Sequence, residues 1–329
     1  MSMKIAVTGA SGFLGGNLVR ALLARGDSVR VLVRDNLGSL DGLDVECIAG
    51  DIRTADVVCD LVDGMDAVIH CAAIVSINGS MGGLVEEVNI GGPKNVAEAC
   101  LAKGVKKLVH ISSVHALDPH PHDEPIDEER VLCGSETHHP AYARSKANGE
   151  REILKGVAQG LNACILNPSG MIGPYDHQPS PLGEALIQMY NRSLPGLVNG
   201  GYNWVDVRDV VASILAALEH GRAGERYLVT GRSTSVRELA ETAEGITGKK
   251  PPWMTSPLWL AKCTAPVLQW WAKILKNEPL YTSESLQVLG DNDEFVYQKA
   301  ADELGHSPRP LDESLRDAYA WFEEQEMLG

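Results

Sequence analysis

From its first residues to about position 168, the chain alternates short apolar, β-branched runs with longer stretches of helical periodicity. That alternation is what most narrows the folds open to it. The runs fall at residues 4–8, 29–33, 45–49, 67–71, 107–111 and 162–167. Most are apolar at successive positions, as the strands of a parallel sheet covered on both faces must be. Gly9, Gly26, Gly50, Gly64, Gly104 and Gly160 punctuate the ends of these elements, where the chain has to turn. The pattern predicts an α/β fold with a doubly wound parallel sheet. Beyond Pro168 proline and glycine become frequent and the helical stretches are separated by longer irregular segments, which predicts a smaller C-terminal region.

Composition removes several classes of function. With 329 residues, 44% of them hydrophobic, the chain has enough apolar material for a large core, so a disordered or fibrous protein is excluded. Lys and Arg total 29 against 44 Asp and Glu, a formal charge of −15, which argues against a dedicated nucleic-acid binder. No stretch stays apolar for the roughly 20 residues of a membrane span, and the start does not read as a secretory leader. A cytoplasmic protein is expected. The seven cysteines never occur as CxxC, so neither a disulfide framework nor a metal is expected.

The first run leads into Thr8-Gly9-Ala10-Ser11-Gly12-Phe13-Leu14-Gly15, and an apolar helical stripe through Leu18, Leu22 and Leu23 follows. Glycines at 9, 12 and 15 allow the backbone to approach a pyrophosphate, whose charge is met by free N–H groups and the positive end of a helix dipole. Placed between a first strand and a helix, the triplet reads as a dinucleotide-binding turn. In such sites an acidic residue ending the second strand accepts from the ribose of NAD, whereas an Arg there accommodates the extra phosphate of NADP. Here Val33 takes the acidic place and Arg34 follows it, which points to NADP. NAD is the alternative, with Asp35 supplying the carboxylate. The expected division is a dinucleotide-binding domain of residues 1–168 and 202–230, with a substrate-binding region of residues 169–201 and 231–329.

Two further motifs supply chemistry. Ser112 and Ser113 follow directly on the fifth run, at a strand C-terminus where doubly wound folds collect ligands. Tyr142 and Lys146 stand four apart at the start of an amphipathic stretch and share a helical face. A tyrosine ionises near pH 10, so a neighbouring ammonium is needed before it can exchange a proton readily with a substrate oxygen. On this reading Tyr142 is the acid/base, Lys146 lowers its pKa, and Ser113 holds the reacting oxygen while a hydride moves to or from nicotinamide.

With these motifs in order, the chain resembles the extended short-chain dehydrogenase/reductase family, also called the NAD-dependent epimerase/dehydratase family, over nearly its whole length. The matching landmarks are the glycine turn, Gly50-Asp51-Ile52, His70-Cys71-Ala72-Ala73, Val88-Asn89-Ile90, Ile111-Ser112-Ser113, Tyr142 to Lys146, and Asn167-Pro168-Ser169 with Ile172-Gly173-Pro174. The resemblance implies that Asp51 and Ile52 meet adenine and that Ala72 and Ala73 line the nicotinamide ribose side, with Lys146 bonded to that ribose. It further implies that Pro168 and Ser169 border the nicotinamide amide and that Asn89 supports the network. It implies a homodimer built on the helices that begin near Gly83 and Ala141. Within the family the chain is most similar to dihydroflavonol-reductase-like members and hopanoid-associated sugar epimerases. Nucleotide-sugar members carry an Arg-Asp-Phe in which the Arg holds the substrate diphosphate; here the matching residues are Tyr202-Asn203-Trp204. The expected activity is therefore reduction of a carbonyl, or oxidation of a secondary alcohol, on a small, fairly apolar molecule. A nucleotide-sugar epimerase or dehydratase using NAD is the alternative, and a cofactor-binding protein without turnover is a third reading. Pro93 replaces the family's usual threonine and puts the local helix geometry in question.

Weaker signals remain. His115, His120, His122, His138 and His139 crowd one polar stretch without the spacing of a metal site, and His115, two residues after Ser113, is a candidate to face substrate. Residues 257–276 are apolar and carry Trp259, Trp270 and Trp271 beside Lys262, Lys273 and Lys276. The favoured reading there is a cover over the substrate pocket, with a subunit contact or a membrane-surface face as the others.

Overall fold

The computed structural model describes residues 2–34, 37–134, 139–194, 196–265 and 281–329. Strands β1 (Lys4–Thr8), β2 (Ser28–Val33), β3 (Glu46–Ala49), β4 (Ala67–His70), β5 (Lys107–Ile111) and β6 (Ala163–Pro168) lie at the apolar runs. Together with β10 (Arg226–Val229) they form one sheet in the order β10-β6-β5-β4-β1-β2-β3, parallel at every pairing.

The continuous apolar character of these strands follows from their two covered faces. Ile5 and Val7 of β1 face a core shared with Leu18 and Leu22 of α1 (Phe13–Arg25) and Val210 and Ile214 of α7 (Val207–His220). Ala6, between them, joins the opposite core with Val58 and Leu61 of α2 (Ala55–Val62), Val96 of α4 (Gly92–Lys103) and Ile153 of α5 (Ala141–Ala158). Each fully buried Val, Leu or Ile contributes about 1.5–3 kcal/mol, so a polar substitution on either face undermines the whole sheet.

Strand β10 is the sheet member that no apolar run announced. It is only four residues long and pairs on one side alone. Its outer edge is closed by Glu128, whose carboxylate accepts from the Leu228 N–H at 3.0 Å, which leaves that N–H unavailable to another chain. A single turn, α3 (Leu84–Glu86), runs through a wider π turn at Glu87–Gly91 into α4, with Pro93 in the first turn of the latter. Pro93 has no N–H to give to the Asn89 carbonyl four residues back, and the first turn of a helix is where that loss is tolerated.

The remaining chain builds a smaller layer. Strands β7 (Gly170–Ile172), β9 (Gly201–Asp206) and β11 (Arg232–Ser235) form a sheet ordered β11-β9-β7, and β8 (Leu197–Val198) pairs with β12 (Thr255–Ser256). A third core joins Ile172 and Trp204 to α6 (Pro181–Tyr190), α8 (Val236–Thr247) and the helix Leu311–Glu324. Residues 201–206 thus pair in this small sheet, and the chain returns to the large one through α7, which Asp206 caps by accepting from the Arg208 N–H at 2.8 Å.

Candidate active site

The turn after β1 is drawn as tightly as backbone allows. Gly9 has φ +69°, and a Cβ there would lie 2.6 Å from the Ala72 nitrogen; a Cβ on Gly15 would lie 2.1 Å from the Gly9 oxygen. Gly12 is exposed, and a Cβ on it would meet only the Gly9 oxygen, at 3.4 Å. It caps α1 without any side-chain bond to the first helical turn, which holds no acidic residue. Such a helix start, with open space above it and N–H groups free of side-chain caps, fits an anionic pyrophosphate. Ser39 braces the turn from behind, donating to the Ser11 carbonyl at 3.2 Å.

At the neighbouring strand ends, Val33 is buried and Arg34 is exposed, while Asp35 lies outside the described residues. The Asp51 carboxylate is gripped by Arg53 through bonds of 3.0 and 2.9 Å, and these hold its pKa below the usual carboxylate range; Arg34 adds to the effect. Ile52 is buried under the start of α4, in side-chain contact range of Gly92.

Ser113, Tyr142 and Lys146 arrive from β5 and α5, which pack on the same part of the sheet. Ser113 caps a short turn at Val114–Ala116, accepting from the His115 N–H at 3.2 Å. Its hydroxyl also hydrogen-bonds the Tyr142 phenol. Burial in apolar surroundings pushes the Tyr142 phenol up to about 12, against a lowering by its hydrogen bond with Ser113. Lys146 is buried and donates to the Ile111 carbonyl at 2.7 Å; burial brings it down to about 8, with Glu150 opposing. The expected pull of Lys146 on the phenol is thus not what sets Tyr142 in this structure. One ammonium N–H is given to the strand carbonyl, and desolvation dominates the phenol.

Asn89 locks this helix to the loop after β4. Its amide accepts from the Ile74 N–H at 2.8 Å, donates to the Ile74 carbonyl at 2.9 Å and donates to Ser145 Oγ at 2.9 Å. Ala72 and Ala73 sit half-buried at the start of the same loop. Pro168 ends β6 and is buried with Ser169, whose hydroxyl has no partner, nor has that of Ser112. Two histidines to which the sequence assigned no role, His70 of the landmark at 70–73 and His110, stack with ring centres 5.2 Å apart. Burial holds His70 down at about 3 and His110 well below its usual value, so both are neutral. His70 Nδ1 bonds Thr8 Oγ1 at 2.6 Å, and that hydroxyl accepts from the Ala72 N–H at 3.2 Å, stitching β1 to β4.

A cavity of about 300 Å³ opens over these groups. Phe13 from the glycine turn, Ser113, Tyr142 and Ser169 reach it from the large sheet; Tyr202 and Trp204 close it from the small one. Its described lining is mostly apolar and includes no Lys or Arg. The cover comes from the helix Ser283–Val288 rather than from residues 257–265. Thr282 donates to the Ile77 carbonyl at 2.7 Å, and Glu284 accepts from the Gly79 and Ala141 N–H groups at 3.1 and 3.3 Å. Trp259 is 67% exposed and does not line the cavity; Trp270, Trp271, Lys273 and Lys276 lie outside the described residues. The clustered histidines disperse. His115 lines the cavity, His120 and His122 stack edge to face with Asp118 bonded to the former, and His139 is buried; His138 is outside the described residues. Among the described residues no three His, Cys, Asp or Glu side chains are grouped to hold a metal ion, and no helix is long and apolar enough to cross a membrane.

Residues 5–230 match the NAD dependent epimerase/dehydratase family, and the chain belongs to it. It is 32% identical to sterol demethylase protein B of Methylococcus capsulatus, over 99% of this chain and all of that one. It is also 32% identical to a Synechocystis protein provisionally named a dihydroflavonol 4-reductase, over 96% of this chain and 94% of the other. Among solved structures, a nucleoside-diphosphate-sugar epimerase from Pseudomonas aeruginosa superposes with a TM-score of 0.82 at 24% identity, each chain covered in full, a likeness of fold. The protein is accordingly an enzyme of the short-chain dehydrogenase/reductase type, from a family of NAD-dependent oxidoreductases, epimerases and dehydratases.

Proposed function

We propose that the protein is an NADP-preferring oxidoreductase acting on a carbonyl or secondary alcohol of a small, neutral, mostly apolar molecule. The observation that carries this reading is the cavity wall: Ser113 and Tyr142 open onto a space whose described lining has no Lys or Arg and includes Glu284, Asp291 and Asp293. A nucleotide-sugar diphosphate would bring negative charge that such a wall leaves unpaired, a cost of several kcal/mol. The names of the two relatives, a sterol demethylase protein and a dihydroflavonol reductase, agree with an apolar, ring-bearing substrate.

The dinucleotide would supply or accept the hydride. Gly9, Ser11, Gly12, Phe13, Leu14 and Gly15 would hold its pyrophosphate and Arg34 its 2′-phosphate, with Asp51 and Ile52 at adenine. Ala72, Ala73, Asn89 and Lys146 would meet the nicotinamide ribose, and Pro168 and Ser169 the amide. Ser113 would donate to the substrate oxygen beside Tyr142, its hydroxyl oriented by the His115 N–H that it accepts from. Tyr142, raised to about 12, is fully protonated near neutral pH and so suits the donation that accompanies reduction. Lys146 keeps positive charge beside the developing phenolate. In this division of labour residues 1–168 and 207–230 bind the dinucleotide, whereas 169–206 and 231–329 select the substrate. The helices starting at Leu84 and Ala141 are proposed to meet their copies in a homodimer.

The test is stoichiometry. With NADPH and 1-tetralone as a probe ketone, cofactor absorbance should fall in step with alcohol formed, and NADH should serve less well. Conversion of a UDP-sugar by purified protein holding its own NAD, with no net change in absorbance, would establish the epimerase alternative instead.

A further inference from the structure

Two polar side chains in the cavity wall have no part in the chemistry above. His115 Nε2 and Tyr202 Oη are hydrogen-bonded at 2.5 Å, joining the turn after β5 to β9 across 87 residues of sequence. Both line the cavity, and the His115 ring centre lies 6.3 Å from that of Tyr142. The Tyr202 ring is held in place on two sides. Gly170 leaves room for it, because a Cβ there would lie 2.3 Å from Tyr202 Cε1, and Trp204 lies 5.3 Å away between ring centres. A neutral polar pair set this firmly into a mostly apolar wall, and lining the cavity close to Tyr142, retains hydrogen-bonding capacity beyond the bond it makes internally.

We propose that the His115–Tyr202 pair is a second anchor for the substrate, binding a neutral oxygen that lies a few carbons from the reacting carbonyl. The inference rests on the substrate occupying this cavity, as in the reading above, and it narrows the substrate to molecules with two oxygens. Burial lowers His115 to about 4 and raises the Tyr202 phenol, with Tyr142 adding to the latter, so both members are neutral at working pH. Neutrality makes the pair ambivalent. When the phenol donates to Nε2, its oxygen is open to a substrate hydroxyl; when the other imidazole tautomer donates to the phenol, the phenolic proton is open to a substrate carbonyl or ether. A carboxylate finds no such welcome, because no described Lys or Arg faces the cavity and Glu284, Asp291 and Asp293 do.

Three probes differing at one position read this directly: 1-tetralone, 4-hydroxy-1-tetralone and the corresponding 4-carboxylate. Their dissociation constants are measured by calorimetry with and without saturating 1,4,5,6-tetrahydro-NADP or 1,4,5,6-tetrahydro-NAD, whose reduced ring neither gives nor takes a hydride and so allows binding to be read without turnover of the ketone or of the 4-hydroxyl. The hydroxylated ketone is expected to bind about tenfold tighter than the parent, and the carboxylate more weakly than the parent. Tyr202→Phe, which keeps the ring against Gly170, should bring the hydroxyl preference to within about twofold of unity, as should His115→Phe; His115→Gln should restore part of it. Should His115→Phe fail to fold, the Tyr202→Phe ratio decides alone. A hydroxyl preference equal in wild type and Tyr202→Phe, or absent in wild type, overturns the proposal. The same ketones are offered separately with NADPH: failure to reduce any of them counts against the proposed activity, while the binding ratios still decide the role of the pair.

Discussion

The strand ends of the large sheet and the cover of the cavity meet at Tyr142, but they are held there by different means. Ile5, Val7, Ala67, Ile69, Leu108 and Val109 are wholly buried between two helical layers, so the glycine turn and Ser113 stand on a platform that no single contact controls. The cover helix Ser283–Val288, in contrast, buries one hydrophobic residue, Leu286, and among its ties Thr282 donates to the loop after β4 while Glu284 accepts from that loop and from the start of α5. The platform is suited to fixing reacting atoms, and the cover, with its single buried hydrophobic residue, to admitting and selecting what reacts. Changes on the platform should therefore alter chemistry and cofactor binding, and changes in the cover should alter KM.

The largest effect is expected from Tyr142→Phe, which removes the proton donor while leaving the ring in place: kcat should fall by about 10³-fold, in the range of a lost general acid. The dinucleotide dissociation constant, followed by fluorescence titration, should move by less than about twofold. Next is Gly15→Ala, whose methyl would be driven into the Gly9 carbonyl at 2.1 Å. It should cost about 1–3 kcal/mol of stability in chemical denaturation and weaken both dinucleotides together. Arg34→Ala should weaken NADPH by about tenfold and NADH little, the loss of one charge-assisted contact to phosphate. Equal weakening of both would remove Arg34 from cofactor choice. The smallest effect belongs to the cover, where Glu284→Ala breaks two bonds of about 1 kcal/mol each and should raise KM for a probe ketone severalfold at unchanged kcat. A fall in kcat alone would show that the cover shapes the reacting geometry after all.

The pH profile separates the two regions further. Lys146, lowered to about 8, loses its charge as pH rises through that value, whereas Tyr142, raised to about 12, keeps its proton. Reduction should accordingly decline above about pH 8, and Lys146→Arg, whose side chain does not deprotonate, should retain a slower rate without that limb. An unchanged limb in the variant would assign it to another group.

The same contrast governs how far each region could be read from sequence. β1 and β5 form over the runs at 4–8 and 107–111, because burial on both faces writes itself as unbroken apolar residues. β10 escaped notice since a four-residue edge strand carries too little of that pattern. Tyr142 and Lys146 were legible through the spacing of a helix turn, and His115 through its nearness to Ser113. Tyr202 showed only as the residue at the place of the family's diphosphate-holding Arg, with nothing to announce its partner, and Glu284 left no trace. Glu284 acts on Gly79 and Ala141, 205 and 143 residues away, and Tyr202 on His115, 87 away. Only the folded chain brings those partners together. His70 and His110 carried a faint signal, histidines near the C-terminal ends of two neighbouring strands that pair residue for residue.

Isotope transfer bears most directly on the claim that Ser113, Tyr142 and Lys146 serve a net hydride transfer to an apolar ketone. With NADPH carrying deuterium at the transferable position and 1-tetralone as acceptor, mass spectrometry should find one deuterium on the carbinol carbon of the alcohol for each NADPH consumed, with labelled alcohol accumulating about 10³-fold more slowly with Tyr142→Phe. Alcohol formed without deuterium, or labelled alcohol formed by the Tyr142→Phe variant at the wild-type rate, would contradict the account.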